Sequence, residues 1–280
     1  MRFVKYDTAE AFGADTLELL LENEVQNNLL VSFILRDGDK TGWLFATVKD
    51  GAGSVVLSAV WTGLPFNIVL YETGNKPNGA ALTVLADGLK ALGYTFPGVL
   101  VEQGLAKRFA ETWTDKYHLH MSMNIMRLDA VSDTAKAPGA ARLMRADDFF
   151  YLPYWLRAFA EECHVEVDDI QTNAERLKAW MKEALFYVWE DGHPVSMVAN
   201  TRNTQNGAVV NWVYTPPHYR GKGYALSNVA KLSREMLNRG HKFCCLFADA
   251  ANPTSCGIYR KIGYADLCVF DAIEFGGENA

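Results

Sequence analysis

Apolar residues in the second half of the chain recur at two spacings, one typical of strands and one typical of helices. Strand-length apolar runs are separated by hairpin turns that contain glycine; the runs lie at 184–189, 194–202 and 208–214, and the turns at Asp191-Gly192 and Asn206-Gly207. Helical spacing precedes and follows these runs, at 147–160, 172–183 and 225–239. With further strands near 142, at 243–248 and beyond, the predicted order is β-α-α-β-β-β-α-β-α-β, which indicates an α/β fold (an α+β mixed sheet between helices).

The first half repeats this order of helices and strands without repeating the sequence. Its predicted helices lie at 9–21, 80–92 and 104–113, and its predicted strands at 31–35, 42–48, 55–61, 66–71, 98–101 and 118–127. Residues 131–140 are mostly small and show no period, which is typical of a linker. The chain is therefore predicted to hold two folds of one kind, in a domain 1–130 and a domain 141–280 joined by a linker 131–140.

A short basic loop with two glycines joins the strand at 208–214 to the helix at 225–239. Glycines 221 and 223 let the backbone turn and leave no side chain in the way of a ligand. Free N–H groups and the positive end of a helix can then hold phosphate oxygens. The loop has neither the spacing of nucleoside triphosphatases nor that of dinucleotide-binding folds. It predicts a site for an anion, best a pyrophosphate; an ordinary strand–turn–helix with a basic turn is the alternative.

Two motifs in this region resemble those of one family. Arg220-x-x-Gly223-x-Ala225 resembles the [Q/R]-x-x-G-x-[G/A] signature of the GNAT superfamily of N-acetyltransferases, whose loop binds the pyrophosphate of coenzyme A. The family's later motif, N-x-x-[AS]-x-x-x-Y-x-x-x-G-[FY], is matched by Asn252, Ser255, Tyr259, Gly263 and Tyr264. Both motifs occur in the expected order, and the resemblance covers 207–274. Together with the repeated order of elements in the first half, it implies a tandem pair of GNAT-like folds, of which the second is catalytic and the first degenerate.

The resemblance also implies the chemistry and the residues that perform it. It implies N-acetyltransfer from acetyl-CoA, as co-substrate, to a primary amine that attacks directly within a ternary complex. Tyr259 would give a proton to the departing sulfur, Asn252 would orient the carbonyl or the pantetheine arm, and backbone N–H groups near the strand end would bind the thioester oxygen. The implied coenzyme-binding residues are Val213, Tyr214, Thr215, Tyr219, Arg220, Gly221, Lys222, Gly223, Tyr224, Ala225, Asn252, Ser255 and Tyr259. Packing of Tyr259 on the sheet is the structural alternative.

The sequence does not determine which residue deprotonates the amine. Relatives often carry a glutamate on the strand before the loop, but here the central polar residue is Asn211, which can position water or the amine and cannot accept a proton at neutral pH. Glu161, Glu162 and Asp249 are the candidate carboxylates. The first two belong to an acidic run at 161–169 that would attract a cationic amine or simply be a solvated turn. Asp249 could equally form an Asx-turn.

The first half lacks the residues that the chemistry needs. Its loop has Lys76 but no Arg-x-x-Gly-x-[Gly/Ala] pattern, and Pro77 removes one N–H. The segment 102–109 has neither asparagine nor tyrosine at the expected places. We therefore expect that the first domain does not bind coenzyme A and instead shapes the acceptor cleft, stiffens the second domain or carries a dimer contact.

Composition narrows the remaining classes of function. The net charge of −6 argues against nucleic acid as a partner, and no segment reads as a membrane span or a signal peptide. The five cysteines lack metal spacing and predict reduced thiols, no metal site and a cytoplasmic location. The acceptor would be a small-molecule or peptide amine, and a homodimer is an open alternative. Rival functions are a non-catalytic acyl-CoA sensor or scaffold, or transfer of a larger acyl or aminoacyl group.

Overall fold

The computed structural model describes residues 1–74, 77–134 and 136–276, so Lys76, Ala135 of the predicted linker and the last four residues lie outside it. The chain forms two compact units. Unit 1 comprises Met1–Ile125 together with the chain from Leu267 onward, and unit 2 comprises Met126–Asp266. Within the described ranges, no helix is sufficiently long and apolar to span a bilayer.

Unit 1 contains a sheet in the order β1-β2-β3-β4-β5-β12, in which the last strand comes from the end of the chain. Its elements are β1 (Arg2–Tyr6), α1 (Ala9–Leu21), α2 (Asn28–Leu35), β2 (Leu44–Lys49), β3 (Val55–Trp61), β4 (Ile68–Glu72), α3 (Gly79–Ala91), β5 (Gly98–Glu102), α4 (Gln103–Trp113), and the larger parts of β6 (Tyr117–Leu128) and β12 (Ala265–Phe275). Leucines of α3 pack against strands β2 to β5 to form its core.

The prediction of a strand at 31–35 is wrong, because these residues belong to helix α2. The first five residues of α2 are all buried, so the apolar run has no polar face from which a helical period could be recognised. With α2, and with β1, which the sequence analysis did not predict, unit 1 has the order β-α-α-β-β-β-α-β-α-β. This is the same order as that predicted for the second half.

Unit 2 contains strands in the order β11-β10-β9-β8-β7, with helices on both faces. Its elements are β7 (Ala140–Leu143), α5 (Leu152–Glu162), α6 (Ile170–Glu183), β8 (Leu185–Glu190), β9 (Pro194–Asn203), β10 (Gly207–Tyr214), α7 (Tyr224–Asn238), β11 (Phe243–Asp249) and α8 (Pro253–Ile262). Because side chains alternate along a strand, Tyr187 packs with α7 and α8 whereas Phe186 and Val188 pack with α5 and α6.

Strand β12 was expected in the second domain, but it pairs antiparallel with β5 of unit 1. The register runs from Phe270 opposite Glu102 to Glu274 opposite Gly98. The alternation of apolar and polar residues along a strand determines which face is buried. It does not identify the partner strand, which here lies more than 160 positions earlier in the chain.

A buried carboxylate fixes the chain between β7 and α5. Asp148 is 1% exposed and receives two hydrogen bonds of 2.7 Å from the Arg142 guanidinium and one of 2.8 Å from the Arg145 N–H. The hydroxyl of Tyr151 donates a further hydrogen bond to it. This network fixes the start of α5, which packs over β10.

Candidate active site

Strands β10 and β11 run parallel and then diverge. They are in register at three positions, from Gly207 opposite Phe243 to Val209 opposite Cys245. β10 continues to Tyr214, and no register with β11 is recorded for these later residues in the described part of the chain. Beyond Val209, β10 pairs with β9 on one edge, and its other edge is not committed to the β11 ladder.

The loop 215–223, which we call the glycine loop, leads from β10 to α7. Gly221 and Gly223 have φ of 78° and 80°, the left-handed region that glycine enters without steric cost. Gly223 precedes α7, and no side chain caps the first N–H groups of this helix. A Cβ atom on Gly221 would meet nothing within 4 Å, and one on Gly223 would meet only the Cβ of Ala137 at 3.8 Å. The loop is therefore an uncapped helix N-terminus with open space before it.

Arg220 holds the glycine loop together. Its Nε donates to the Thr215 carbonyl at 2.8 Å, and its terminal nitrogen donates to both carboxylate oxygens of Glu162, at 2.8 and 2.6 Å. The Thr215 hydroxyl in turn donates to Ser196 at 2.9 Å. Ser196 belongs to no recognisable motif, and its only signal in the sequence is that of a lone small polar residue inside an apolar strand. Arg220 thus links the loop to the end of α5.

The remaining predicted residues of the loop serve different purposes. The hydroxyl of Tyr224 donates to Asp191 at 2.6 Å, so this side chain fixes α7 to the β8–β9 turn. Tyr219 packs between the rings of His218 and His193, at 4.0 and 5.0 Å. Lys222 is exposed.

Tyr259 is a largely buried tyrosine of α8. The residue is 7% exposed, and in the part of the chain that the structure describes its hydroxyl has no hydrogen-bond partner. Burial, and then the neighbouring thiols of Cys163 and Cys256, raise the pKa of Tyr259 above its ordinary value. Asn252 caps the same helix by accepting a hydrogen bond of 3.1 Å from the Ser255 N–H. The phenol therefore stays protonated and can donate.

The candidate carboxylates differ in their surroundings. Glu161 is exposed and pairs with Arg157 at 2.9 Å. Asp249 accepts a hydrogen bond of 2.8 Å from the Ala251 N–H, which is the Asx-turn arrangement. Burial, and then the charges of Glu162 and Asp249, raise the pKa of Cys163 to about 11. The charges of Glu162 and Asp249 therefore act on the Cys163 thiol, and the Cys163 thiol contributes to the raised pKa of Tyr259. No motif in the sequence had marked Cys163 as a site residue.

The acidic run at 161–169 is largely neutralised by its own surroundings. Besides the pairs of Glu161 and Glu162, Asp168 pairs with Arg176 at 2.6 Å, and Asp169 caps α6 by accepting a hydrogen bond of 2.7 Å from the Thr172 N–H. The run is not an uncompensated negative surface.

Asn211 lies at the divergence of the strands. Its amide nitrogen donates to the Thr201 hydroxyl at 2.8 Å, and its Oδ1 is buried with no partner among the described residues. The described residues contain no group of three or more His, Cys, Asp or Glu side chains placed to hold a metal ion.

Residues 152–264 match the sequence profile of the acetyltransferase (GNAT) family. Unit 2 carries a GNAT-family acetyltransferase domain. The match covers α5 to α8 and therefore includes the glycine loop, Asn252 and Tyr259. No curated protein matches the chain.

Solved structures extend the likeness to the whole chain. A GCN5-related N-acetyltransferase from Sphaerobacter thermophilus superposes with a TM-score of 0.66 at 15% identity, over 100% of this chain and 98% of that one. A GNAT-family acetyltransferase from Colwellia psychrerythraea gives 0.60 at 10% identity, over 99% and 100%. A tandem GNAT protein from the clavulanic acid biosynthesis pathway gives 0.57 at 13% identity, over 97% of each chain. At these identities the likeness shows the fold, which is two GNAT-like folds in tandem.

The corresponding positions of the first GNAT-like fold are filled by the protein's own side chains. The Asn78 side chain caps α3 by accepting a hydrogen bond of 3.1 Å from the Ala81 N–H, and the Asn78 N–H donates to Glu72 at 2.8 Å. Glu72 also pairs with Arg108. The seventh residue after the helix cap is Phe109 in α4, where α8 of the GNAT domain has Tyr259. Unit 1 therefore has neither an uncapped helix N-terminus nor a phenol at these positions.

Proposed function

We propose that the GNAT domain of unit 2 is an N-acetyltransferase that transfers an acetyl group from acetyl-CoA to a primary amine by direct attack in a ternary complex. The uncapped, glycine-lined N-terminus of α7 carries the proposal, and Tyr259, a largely buried tyrosine whose hydroxyl makes no hydrogen bond with the described residues, supports it. The first feature suits a pyrophosphate, and the second suits a proton donor to sulfur.

Each part of the site would have one task. The N–H groups of Gly221 and Gly223 and the positive end of α7 would hold the pyrophosphate. The N–H of Val213, at the end of β10, would donate to the thioester oxygen and stabilise the charge that develops there. When bound, acetyl-CoA supplies an activated acyl group. Tyr259 would protonate the departing thiolate, and Asn252 would fix the start of α8 beneath it.

The amine must lose a proton as the new bond forms. Of the three candidate carboxylates, Glu162 and Asp249 have charges that act on the Cys163 thiol, whereas Glu161 pairs with Arg157. We propose that the proton leaves through Glu162 or Asp249, or through water held by Asn211.

The acceptor is proposed only as a small-molecule or peptide amine. The acidic run at 161–169 is mostly ion-paired, so its charge does not select one class of cationic amine. The five cysteines are free thiols, in keeping with the cytoplasmic location that we propose.

We further propose that each chain binds a single acetyl-CoA. Glu72 already accepts the N–H of the α3 cap, and Arg108 neutralises it, so the region of unit 1 that corresponds to the glycine loop is occupied by an internal ion pair. Isothermal titration of the intact chain with acetyl-CoA is expected to give one site per chain. A second site of similar affinity would contradict this assignment.

Replacing Arg220 with alanine is expected to weaken acetyl-CoA binding by about 10- to 100-fold. The substitution removes a positive charge beside the proposed pyrophosphate site, and one hydrogen bond from a charged group contributes about 1.5–3 kcal/mol. Arg239→Ala is the matched control, because Arg239 is also exposed and ion-paired but lies at the far end of α7. We measure the Kd of acetyl-CoA for the wild type and both variants. An unchanged Kd in Arg220→Ala would remove the glycine loop from the coenzyme site.

Measuring turnover distinguishes an acetyltransferase from a non-catalytic acyl-CoA sensor. An amine screen with detection of released thiol is expected to find at least one acceptor for the wild type. Tight binding of acetyl-CoA without thiol release for any amine class would favour the non-catalytic sensor. Faster release from longer acyl-CoA thioesters would favour transfer of a larger acyl group.

A further inference from the structure

Trp212 has a backbone conformation that is unusual for a bulky residue. Its φ is +53°, in the left-handed region that L-residues with large side chains avoid. The register of β10 against β9 shifts twice here, between Val209 and Asn211 and between Asn211 and Tyr214. A bulge re-aims the groups that follow it. The conformation of Trp212 therefore decides where the N–H of Val213 points.

Three side chains from α5 and α6 contact the indole of Trp212, and we call them the aromatic clamp: Phe159, Arg176 and Trp180. The Phe159 and Trp180 rings lie 5.1 and 5.2 Å from that of Trp212. The Arg176 guanidinium lies 5.8 Å from both indoles and is itself held by Asp168 at 2.6 Å. Contacts of this kind are attractive beyond the area that they bury.

Packing alone does not require the left-handed backbone. Tyr214, two residues further along β10, packs against Trp155 in the same core at 6.2 Å. Yet Trp212 and His164 are the only non-glycine residues in the described ranges that have positive φ. Strained backbone persists only where the surroundings hold it, and such positions concentrate at functional sites.

We propose that Trp212 is a positioning residue for acetyl transfer: the aromatic clamp holds its left-handed conformation and thereby aims the Val213 N–H at the thioester oxygen. This inference rests on the proposed function. The clamp residues do not touch the reacting atoms; they act through the peptide between Trp212 and Val213. Loss of the clamp lets this peptide rotate, and the thioester carbonyl then loses a preorganised donor.

The test is isotope-edited infrared difference spectroscopy of acetyl-CoA labelled with ¹³C at the carbonyl, bound to the intact protein without an amine. A hydrogen bond from Val213 lowers the carbonyl stretch of bound acetyl-CoA below that of acetyl-CoA in an aprotic solvent. Four proteins are compared: the wild type, Trp212→Phe, Trp212→Gly and Trp212→Ala. Phenylalanine keeps a ring in the clamp, glycine adopts positive φ without a ring, and alanine offers neither.

The expected lowering of the stretch is largest in the wild type and Trp212→Phe, intermediate in Trp212→Gly and lost in Trp212→Ala. The Kd of acetyl-CoA should stay within about threefold throughout, since the glycine loop is untouched. An unshifted carbonyl in the wild type, or a wild-type shift in Trp212→Ala, overturns the positioning role. Failure of the wild type to bind acetyl-CoA would instead overturn the proposed function.

A second variant keeps the test valid if Trp212→Ala does not fold. Trp180→Leu removes one ring of the clamp from α6 and leaves β10 unaltered. It is expected to reduce the carbonyl shift while the Kd of acetyl-CoA is retained. An undiminished shift in this variant would show that the clamp does not control the Val213 N–H.

Discussion

Tyr259→Phe is expected to lower kcat by about 100- to 10,000-fold while the Kd of acetyl-CoA stays within about twofold, the range typical for loss of a positioned general acid. Phenylalanine keeps the ring, which packs against Tyr264 with centroids 6.1 Å apart. Only the hydroxyl is removed, and it has no partner among the described residues, so the substitution breaks no hydrogen bond in the free protein. The loss should therefore appear in turnover and not in folding.

Tyr264→Phe is the matched control for this substitution. The residue is also buried, but its hydroxyl is hydrogen-bonded to that of Ser233 at 2.8 Å. Its removal should cost about 1 kcal/mol of stability and change kcat little. Both values of kcat are measured by thiol release with the best amine found in the screen. Equal kcat for Tyr259→Phe and the wild type would remove Tyr259 from the acid role.

The pH dependence of kcat offers an independent check on Tyr259. A general acid is active while protonated, and the pKa of Tyr259 is raised. Its contribution is therefore fully present below the ordinary tyrosine pKa of about 10 and disappears only above that value. No descending limb due to Tyr259 is expected between pH 7 and about pH 10. A fall in kcat below pH 9 that is absent in Tyr259→Phe would contradict a raised pKa.

Asp148→Asn is expected to lower the free energy of unfolding by about 3–5 kcal/mol, the cost of breaking a buried ion pair from one side. The Arg142 guanidinium would then lose its two hydrogen bonds of 2.7 Å to a carboxylate, and Tyr151 would lose its anionic acceptor. Asp147→Asn is the matched control, since Asp147 is the exposed neighbour. Urea unfolding at pH 7 measures both, and a loss below 1 kcal/mol in Asp148→Asn would contradict the prediction.

The loss of unfolding free energy in Asp148→Asn should depend on pH. Burial raises the pKa of Asp148, but hydrogen bonds from Arg142, Tyr151 and the Arg145 N–H outweigh it and hold the pKa below the ordinary value. The stabilisation is then fully present above the unfolded pKa of about 3.9 and is lost as the pH falls through the lower, folded pKa. The difference between the wild type and Asp148→Asn should therefore be constant from pH 5 to 7 and shrink below about pH 4.

Local patterns sufficed for most of the fold. Helix α1 and strand β3 lie within the predicted bounds, because one has a clear polar face and the other a strand-length apolar run. Helix α2 was mistaken for a strand because it is buried on nearly every side. The position of β12 beside β5 depends on residues more than 160 positions away in the chain, as with Phe270 opposite Glu102, and no local pattern reports on such a pairing.

The motifs predict which segments carry the site, but not how the side chains pair. The spacing of Arg220, Asn252 and Tyr259 is enough to indicate the family, and the family is confirmed for residues 152–264. The hydrogen bonds between Arg220 and Glu162 join residues 58 positions apart and depend on the rotamers of both. The same holds for the electrostatic effect of Cys163 on Tyr259. The roles of the individual site residues stay predictions that the variants described above will test.

The pairing of β12 with β5 has a consequence for how the protein is made. During synthesis, the first 125 residues emerge from the ribosome long before β12 is made. Until β12 is made, one edge of β5 is unpaired and can pair with the wrong strand. Unit 1, although first in the sequence, is the last to be completed. A fragment ended at residue 130 would keep that edge open permanently, and we expect it to aggregate during expression unless β12 is supplied as a separate peptide or fused behind a linker.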